Sequence, residues 1–144
     1  MGRILALDYG SARCGVAITD PSQTIASPLP VVRKAGTPSG VNRIAKLVKE
    51  REVERVVLGL PIGLSGRETA QTKETRQFCE VLRKAVPVPV DLYDERFTTR
   101  MAERDIDPRA DEDSRAAAHL LAGWLTENVS PEPLRPPAWD DDER

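Results

Sequence analysis

Two nearly unbroken apolar runs, Arg3 to Asp8 and Cys14 to Thr19, stand five residues apart near the start of the chain. Each suits a strand buried on both faces, and the short connection Tyr9 to Arg13 suits a hairpin. Ile25 to Arg33 is a third candidate strand, which Pro28 and Pro30 confine to an edge or a bulge because neither can donate to a ladder. The period then changes. Val41, Ile44, Ala45 and Val48 recur at i, i+3, i+4 and i+7, predicting an amphipathic helix over about residues 39–51. Arg55 to Leu60 reads as a strand, and after the glycine-rich turn Gly59 to Gly66 a helix runs to about Ala85. Val86 to Tyr93 returns as a strand, Thr98 or Thr99 caps a short helix to about Asp105, and Ser114 to Asn128 forms the last helix. A meander followed by β–α alternation predicts an α/β domain with a five-stranded mixed sheet flanked by helices.

With 144 residues the chain has room for one domain, and it buries enough surface to fold without a disulfide or a structural metal. Residues 1–129 are read as that domain and residues 130–144, with four prolines and five acids, as a disordered acidic tail. The longest stretch without charged or strongly polar residues, Val56 to Leu64, has nine residues, far short of the ~20 that span a membrane. The apolar run at the start is too short for a signal peptide, so a cytoplasmic protein with no membrane partner is expected. Cys14 and Cys79 belong to no C-x-x-C pair and read as small core residues. The formal charge of −2 names no partner, and six aromatics are too few for base stacking to be the main binding mode.

The chemistry begins with carboxylates at the ends of elements. Ile4, Ala6 and Asp8 share one face of the first strand, so it ends in a charge beside a buried core. The strand ending at Tyr93 runs into Asp94 and Glu95, and the C-terminal ends of parallel strands are where ligand sites are built. On the last helix Ala116, Ala117, Leu120, Leu121 and Trp124 form the apolar stripe, which turns Asp113 toward the core side. Each acid also has a plain reading: Asp8 as a turn opener, Asp113 as a helix-start acid, Glu95 as half of a surface ion pair. Three acids converging on one side of a sheet would repel unless a divalent cation neutralised them. All-oxygen ligation suits Mg²⁺ or Mn²⁺, and the single histidine, His119, expected on the solvent side, excludes a His-rich site.

The surrounding residues suit a phosphate. Asp8 to Arg13 places a glycine, a hydroxyl and a guanidinium in one tight turn. Gly63 to Arg67 leads toward a helix N-terminus with Arg67, Lys73 and Arg76 nearby, although Ser65 as a simple cap reads equally well. Arg96, Arg100 and Arg109 lie between the second and third acids, where surface charge and a backbone-phosphate role both remain open.

Four segments together resemble the motif blocks of a known family: ILALDYGSARCGVAITD (4–20), VLGLPIGLSG (57–66), DERFTT (94–99) and DSRAAA (113–118). They are similar to the YqgF or RuvX-like proteins, ribonuclease-H-fold proteins described as pre-16S ribosomal RNA nucleases and as Holliday junction resolvases. The resemblance runs from about residue 3 to 126 and rests on four blocks in order. It implies a ribonuclease H-like fold in which Asp8, Glu95 and Asp113 are the catalytic, metal-binding acids. It also implies Arg13, the turn at Ser65 and Gly66 leading to Arg67, and Arg96 and Thr98 as substrate contacts. The chain departs from the family just before Asp113, where it reads DPRADE (107–112) in place of a basic segment, leaving Arg109 as the only cation there.

The function so implied is phosphodiester hydrolysis with a two-metal Mg²⁺ or Mn²⁺ site. Processing of the 5′ end of pre-16S ribosomal RNA is the leading substrate assignment, with a monomer sufficient. Resolution of a four-way DNA junction is the alternative and calls for a homodimer with two active sites. A phosphotransferase of the actin and hexokinase type would need two such domains, and a non-catalytic nucleic-acid-binding module gains nothing from acids beside phosphates.

Overall fold

A computed structural model describes residues 2–63, 65–95 and 109–128. The sheet comprises β1 (Arg3–Asp8), β2 (Arg13–Thr19), β3 (Ala26–Arg33), β4 (Val53–Leu60) and β5 (Val90–Asp94), in the order β3-β2-β1-β4-β5. β1 is antiparallel to β2 and β2 to β3, whereas β1, β4 and β5 are parallel. The expected five-stranded mixed sheet is therefore present, with β3 at an edge as its prolines require.

The side-chain alternation of β1 divides two cores. Leu5 and Leu7 pack with α1 (Pro38–Glu50) and α2 (Ala70–Ala85), through residues such as Ile44, Val48, Phe78 and Leu82. Ile4 and Ala6 face α3 (Glu112–Asn128), where Leu120, Leu121, Trp124 and Leu125 are buried. Each such large side chain contributes about 1.5–3 kcal/mol relative to exposure, enough to hold α3 across the sheet. Ser114 fixes its register: the hydroxyl donates to the Leu29 carbonyl at 2.5 Å and accepts from the Val16 N–H at 3.3 Å. Cys14 and Cys79 are buried free thiols, as expected of core residues.

Several boundaries differ from those read in the sequence. β5 begins at Val90 rather than Val86, because Pro87 and Pro89 have no N–H to give a ladder. α2 begins at Ala70, not directly after Gly66: Gly63 N–H bonds the Arg67 carbonyl, Ile62 bridges Glu68, and Thr69 caps the helix in a reciprocal box with Thr72. Ala116 is exposed rather than part of the buried stripe of α3, and His119 is half-buried with a partner rather than turned to solvent. The expected helix from Thr98 or Thr99 to Asp105 and the tail at residues 130–144 lie outside the described residues.

Candidate active site

β1 lies between β2 and β4, and each neighbour presents a glycine beside Asp8. Gly15 of β2 is its register partner. Gly59 of β4 follows the pair Leu7–Leu58 and is itself paired with Tyr93 of β5. Both glycines face the α3 side, and both leave space for an acid. A Cβ on Gly15 would stand 1.9 Å from the Asp113 carbonyl oxygen, so only glycine lets the first turn of α3 settle on β2. A Cβ on Gly59 would stand 2.8 Å from the Glu95 carboxylate oxygen, so Glu95, just beyond β5, reaches across β4 toward β1.

There Glu95 meets Asp8. Burial, the Asp8 charge and a hydrogen bond donated to Asp8 push Glu95 up to about 7. Burial raises Asp8 as well, the Glu95 hydrogen bond lowers it in part, and the Asp113 charge raises it further. Both carboxyls are therefore held above the ordinary carboxylate range, because two buried charges in hydrogen-bond contact repel.

Asp113 approaches from α3. Its place on the first turn is set by Asp111, whose side chain accepts from the Asp113 N–H at 3.0 Å, so Asp111 performs the capping that Asp113 could have performed. The Asp113 carboxylate is left to Arg13, which holds Oδ2 with Nε at 2.8 Å and a terminal nitrogen at 2.7 Å and also reaches Asp111 at 3.5 Å. Both side chains are about 40% exposed (42% and 38%), so solvent screens the pair and it adds little to stability. Among the described residues no group of three acidic, histidine or cysteine side chains stands as a ready metal cage. The buried pair with a third carboxylate acting on it is nonetheless an oxygen donor set that fits a hard divalent cation: such an ion would supply the neutralising charge.

Of the other residues singled out in the sequence, Ser65, Gly66 and Arg67 are exposed on a turn in which Gly66 has φ of 85°. That turn borders the site: Gly63 and Glu95 line the same cavity of about 390 Å³, with Pro61, Ile62, Thr69 and Gln71. Arg76 is drawn away from it by the Glu68 carboxylate, at 2.5 Å. Arg96 and Thr98 lie outside the described residues. Sequence reasoning missed Gly15, Gly59 and Gln71; a glycine inside a strand, which weakens it, was the available signal for the first two.

The mixed sheet with β1 central, helices on both faces and carboxylates at the C-terminal ends of β1 and β5 is a ribonuclease H-like α/β fold. Thermus thermophilus RuvC, solved in complex with a Holliday junction substrate, superposes with a TM-score of 0.62 at 15% identity, covering 88% of this chain and 96% of that one. Residues 2–127 match the sequence profile of the RuvX family, described as "Holliday junction resolvase", and the chain belongs to that family. Proteins named "Putative pre-16S rRNA nuclease" are similar along most of their length. The one from Mycobacterium leprae (strain Br4923) is 39% identical over 143 positions, 93% of this chain and 78% of the relative. The one from Anaeromyxobacter sp. (strain Fw109-5) is 40% identical over 131 positions, 85% and 96% respectively. Among the described residues no helix is long and apolar enough to cross a membrane.

Proposed function

We propose that the chain is a metal-dependent nuclease that hydrolyses phosphodiester bonds of structured nucleic acid and matures the 5′ end of pre-16S ribosomal RNA. Residues 1–129 form the nuclease domain and residues 130–144 a tail outside it. The reading is carried by the buried Asp8–Glu95 pair, two carboxyls brought into hydrogen-bond contact at the ends of parallel strands, where burial and mutual repulsion raise both. A protein that only bound nucleic acid would gain nothing from that repulsion.

Asp8, Glu95 and Asp113 would hold one or two Mg²⁺ or Mn²⁺ ions. Such a cation supplies Lewis-acid polarisation of the phosphate and an acidified water. Glu95 must shed its proton for the pair to take up the ion, which favours neutral to alkaline pH. Arg13, planar and half exposed on Asp113, is placed to exchange that carboxylate for a substrate phosphate, as a guanidinium can grip either with the same fork. Ser65, Gly66 and Arg67, on the exposed turn that follows Gly63 of the Glu95 cavity, are assigned contacts to the strand beyond the cleaved bond, with Arg96 and Thr98 assigned the same role. The expected products carry 5′-phosphate and 3′-hydroxyl ends, and no protein nucleophile takes part.

The test is cleavage of single-stranded RNA, precursor-like structured RNA and a four-way DNA junction by the wild-type and Asp113→Ala chains, each with Mn²⁺, Mg²⁺ or EDTA. Metal-dependent cleavage of the precursor RNA that is lost in the variant supports the proposal. Equal cleavage by both proteins removes Asp113 from the site, and no cleavage at all returns the chain to a binding role. The RuvX description favours a second substrate, the DNA junction. Paired symmetric cuts by a dimer would select it.

A further inference from the structure

The cavity at Glu95 does not stand alone. A second one, of about 480 Å³, is lined by Ser11, Ala70, Gln71, Lys73, Glu74 and Gln77. Gln71 is a wall of both, so the two are neighbours separated by a single exposed side chain. Each lies in the size range of ligand pockets, roughly 300–1,000 Å³. Their walls are continuous with the active site at both ends: Glu95 closes one, and Ser11 sits on the β1–β2 connection that leaves Asp8. Ala70, Lys73, Glu74 and Gln77 recur at i, i+3, i+4 and i+7, a single stripe of α2, so the trough follows the helix for about 10 Å at 1.5 Å per residue.

The chemistry of these walls is distinctive. The Ser11 hydroxyl and the Gln71 and Gln77 amides make no hydrogen bond among the described residues, and all three side chains stand at the surface. The α2 N-terminus does not use them, since Thr69 and Thr72 cap each other. Lys73 and Glu74 bring one charge of each sign to the α2 stripe, and the neutral groups between them, which both donate and accept, suit base edges and sugar hydroxyls beside a site for a phosphodiester. A third cavity, between β3 and α1, includes none of the site residues in its lining and has no such continuity.

We infer that the trough along α2, from Glu95 past Gln71 to Ser11 and Gln77, holds the single strand on one side of the cleaved bond, with Gln71 gripping the nucleotide next to it. This rests on the nuclease reading above and adds to it a strand path and a positioning residue. Because the Gln71 side chain is exposed and Thr75 bonds only its main-chain carbonyl, replacing it leaves the helix intact.

The experiment uses the full chain with Mn²⁺ and matched RNA and DNA oligonucleotides, in steady-state cleavage and in photo-crosslinking from a reactive side chain placed at Gln77 or, as a control, at Lys49 on α1. Gln71→Ala is expected to raise KM about tenfold with kcat within about threefold, the signature of lost binding common to ground and transition states. Gln71→Glu, which adds charge beside the phosphate, raises it further. A loss on RNA alone places the amide on the 2′-hydroxyl, and a loss on both places it on base or backbone. Crosslinks are expected at position 77 and not at 49. Wild-type cleavage with Gln71→Ala kinetics unchanged and no crosslink at 77 overturns the strand path. A wild-type chain that cleaves nothing yet crosslinks at 77 overturns the nuclease reading and leaves the path standing.

Discussion

Glu95 reaches Asp8 only because residue 59 has no side chain: a Cβ there would stand 2.8 Å from the Glu95 carboxylate and 3.1 Å from the Leu120 methyl. β5 and β1 are separated by β4, so the two acids meet across that intervening strand rather than along it. The obstructed atoms are the ends of flexible side chains, which can move. Gly59→Ala is therefore expected to keep the fold, at a cost of about 1–3 kcal/mol, while moving Glu95 off Asp8 and lowering cleavage at least a hundredfold. Circular dichroism and the cleavage assay read the two effects separately, and a fully active variant would show that the crossing is unnecessary.

Gly15→Ala should behave in the opposite manner. Its Cβ would meet main-chain atoms of Asp113 at 1.9 and 2.4 Å, and a backbone cannot swing aside. The first turn of α3 must lift from β2, breaking the Ser114 bonds to Val16 and Leu29. A loss of 3 kcal/mol or more is expected, visible as a lower urea midpoint alongside lost activity. An unchanged midpoint would contradict the close contact.

Arg13→Ala should separate metal from substrate. Without the guanidinium that now occupies it, the Asp113 carboxylate is open to a metal cation, so Mn²⁺ binding by calorimetry is expected to tighten, by up to about fivefold for an exposed pair of this kind. Nucleic-acid binding should weaken in the same variant, and Arg13→Lys, which keeps charge but not the fork, should fall between. Weaker Mn²⁺ binding in Arg13→Ala would mean that the arginine supports the metal site instead.

The raised Glu95 carboxyl makes a prediction about pH. Glu95 titrates near 4.5 when ordinary and near 7 in the fold, so the folded chain holds a proton that the unfolded chain releases. That contribution is fully present below about pH 4.5 and is lost as pH rises through 7. Asp8 is shifted in the same direction. Thermal stability in EDTA should accordingly fall between pH 5 and 8, and Mn²⁺ should restore it more at pH 8 than at pH 5.5, where protons compete. Glu95→Gln should flatten both trends. A Mn²⁺ effect of equal size at both pH values, surviving in Glu95→Gln, would place the cation elsewhere.

Much of this architecture is legible in local pattern. The alternation of β1 separates Leu5 and Leu7 from Ile4 and Ala6, and those pairs face different cores. The prolines of β3 put it at the edge. Local pattern fails where an interaction comes from elsewhere in the chain. The start of α2 depends on a small turn closed by Ile62 and Glu68. Asp113 illustrates both cases: its position near the helix start is visible in the sequence, but whether it caps the helix or faces the site depends on Asp111 taking the cap and Arg13 taking the carboxylate.

The order of the elements and most of the faces they bury can be read from local pattern, and so can the three candidate acids, because periodicity, proline placement and a charge at the end of an apolar run are properties of a few neighbouring residues. The fold, in contrast, is what brings Asp8 against Glu95, pairs Arg13 with Asp113, and sets Gln71 between two cavities. Those are distances between residues 87, 100 and 60 positions apart (8 and 95, 13 and 113, 11 and 71), and they arise from the parallel crossovers and from two strand glycines that let side chains and a helix approach the sheet.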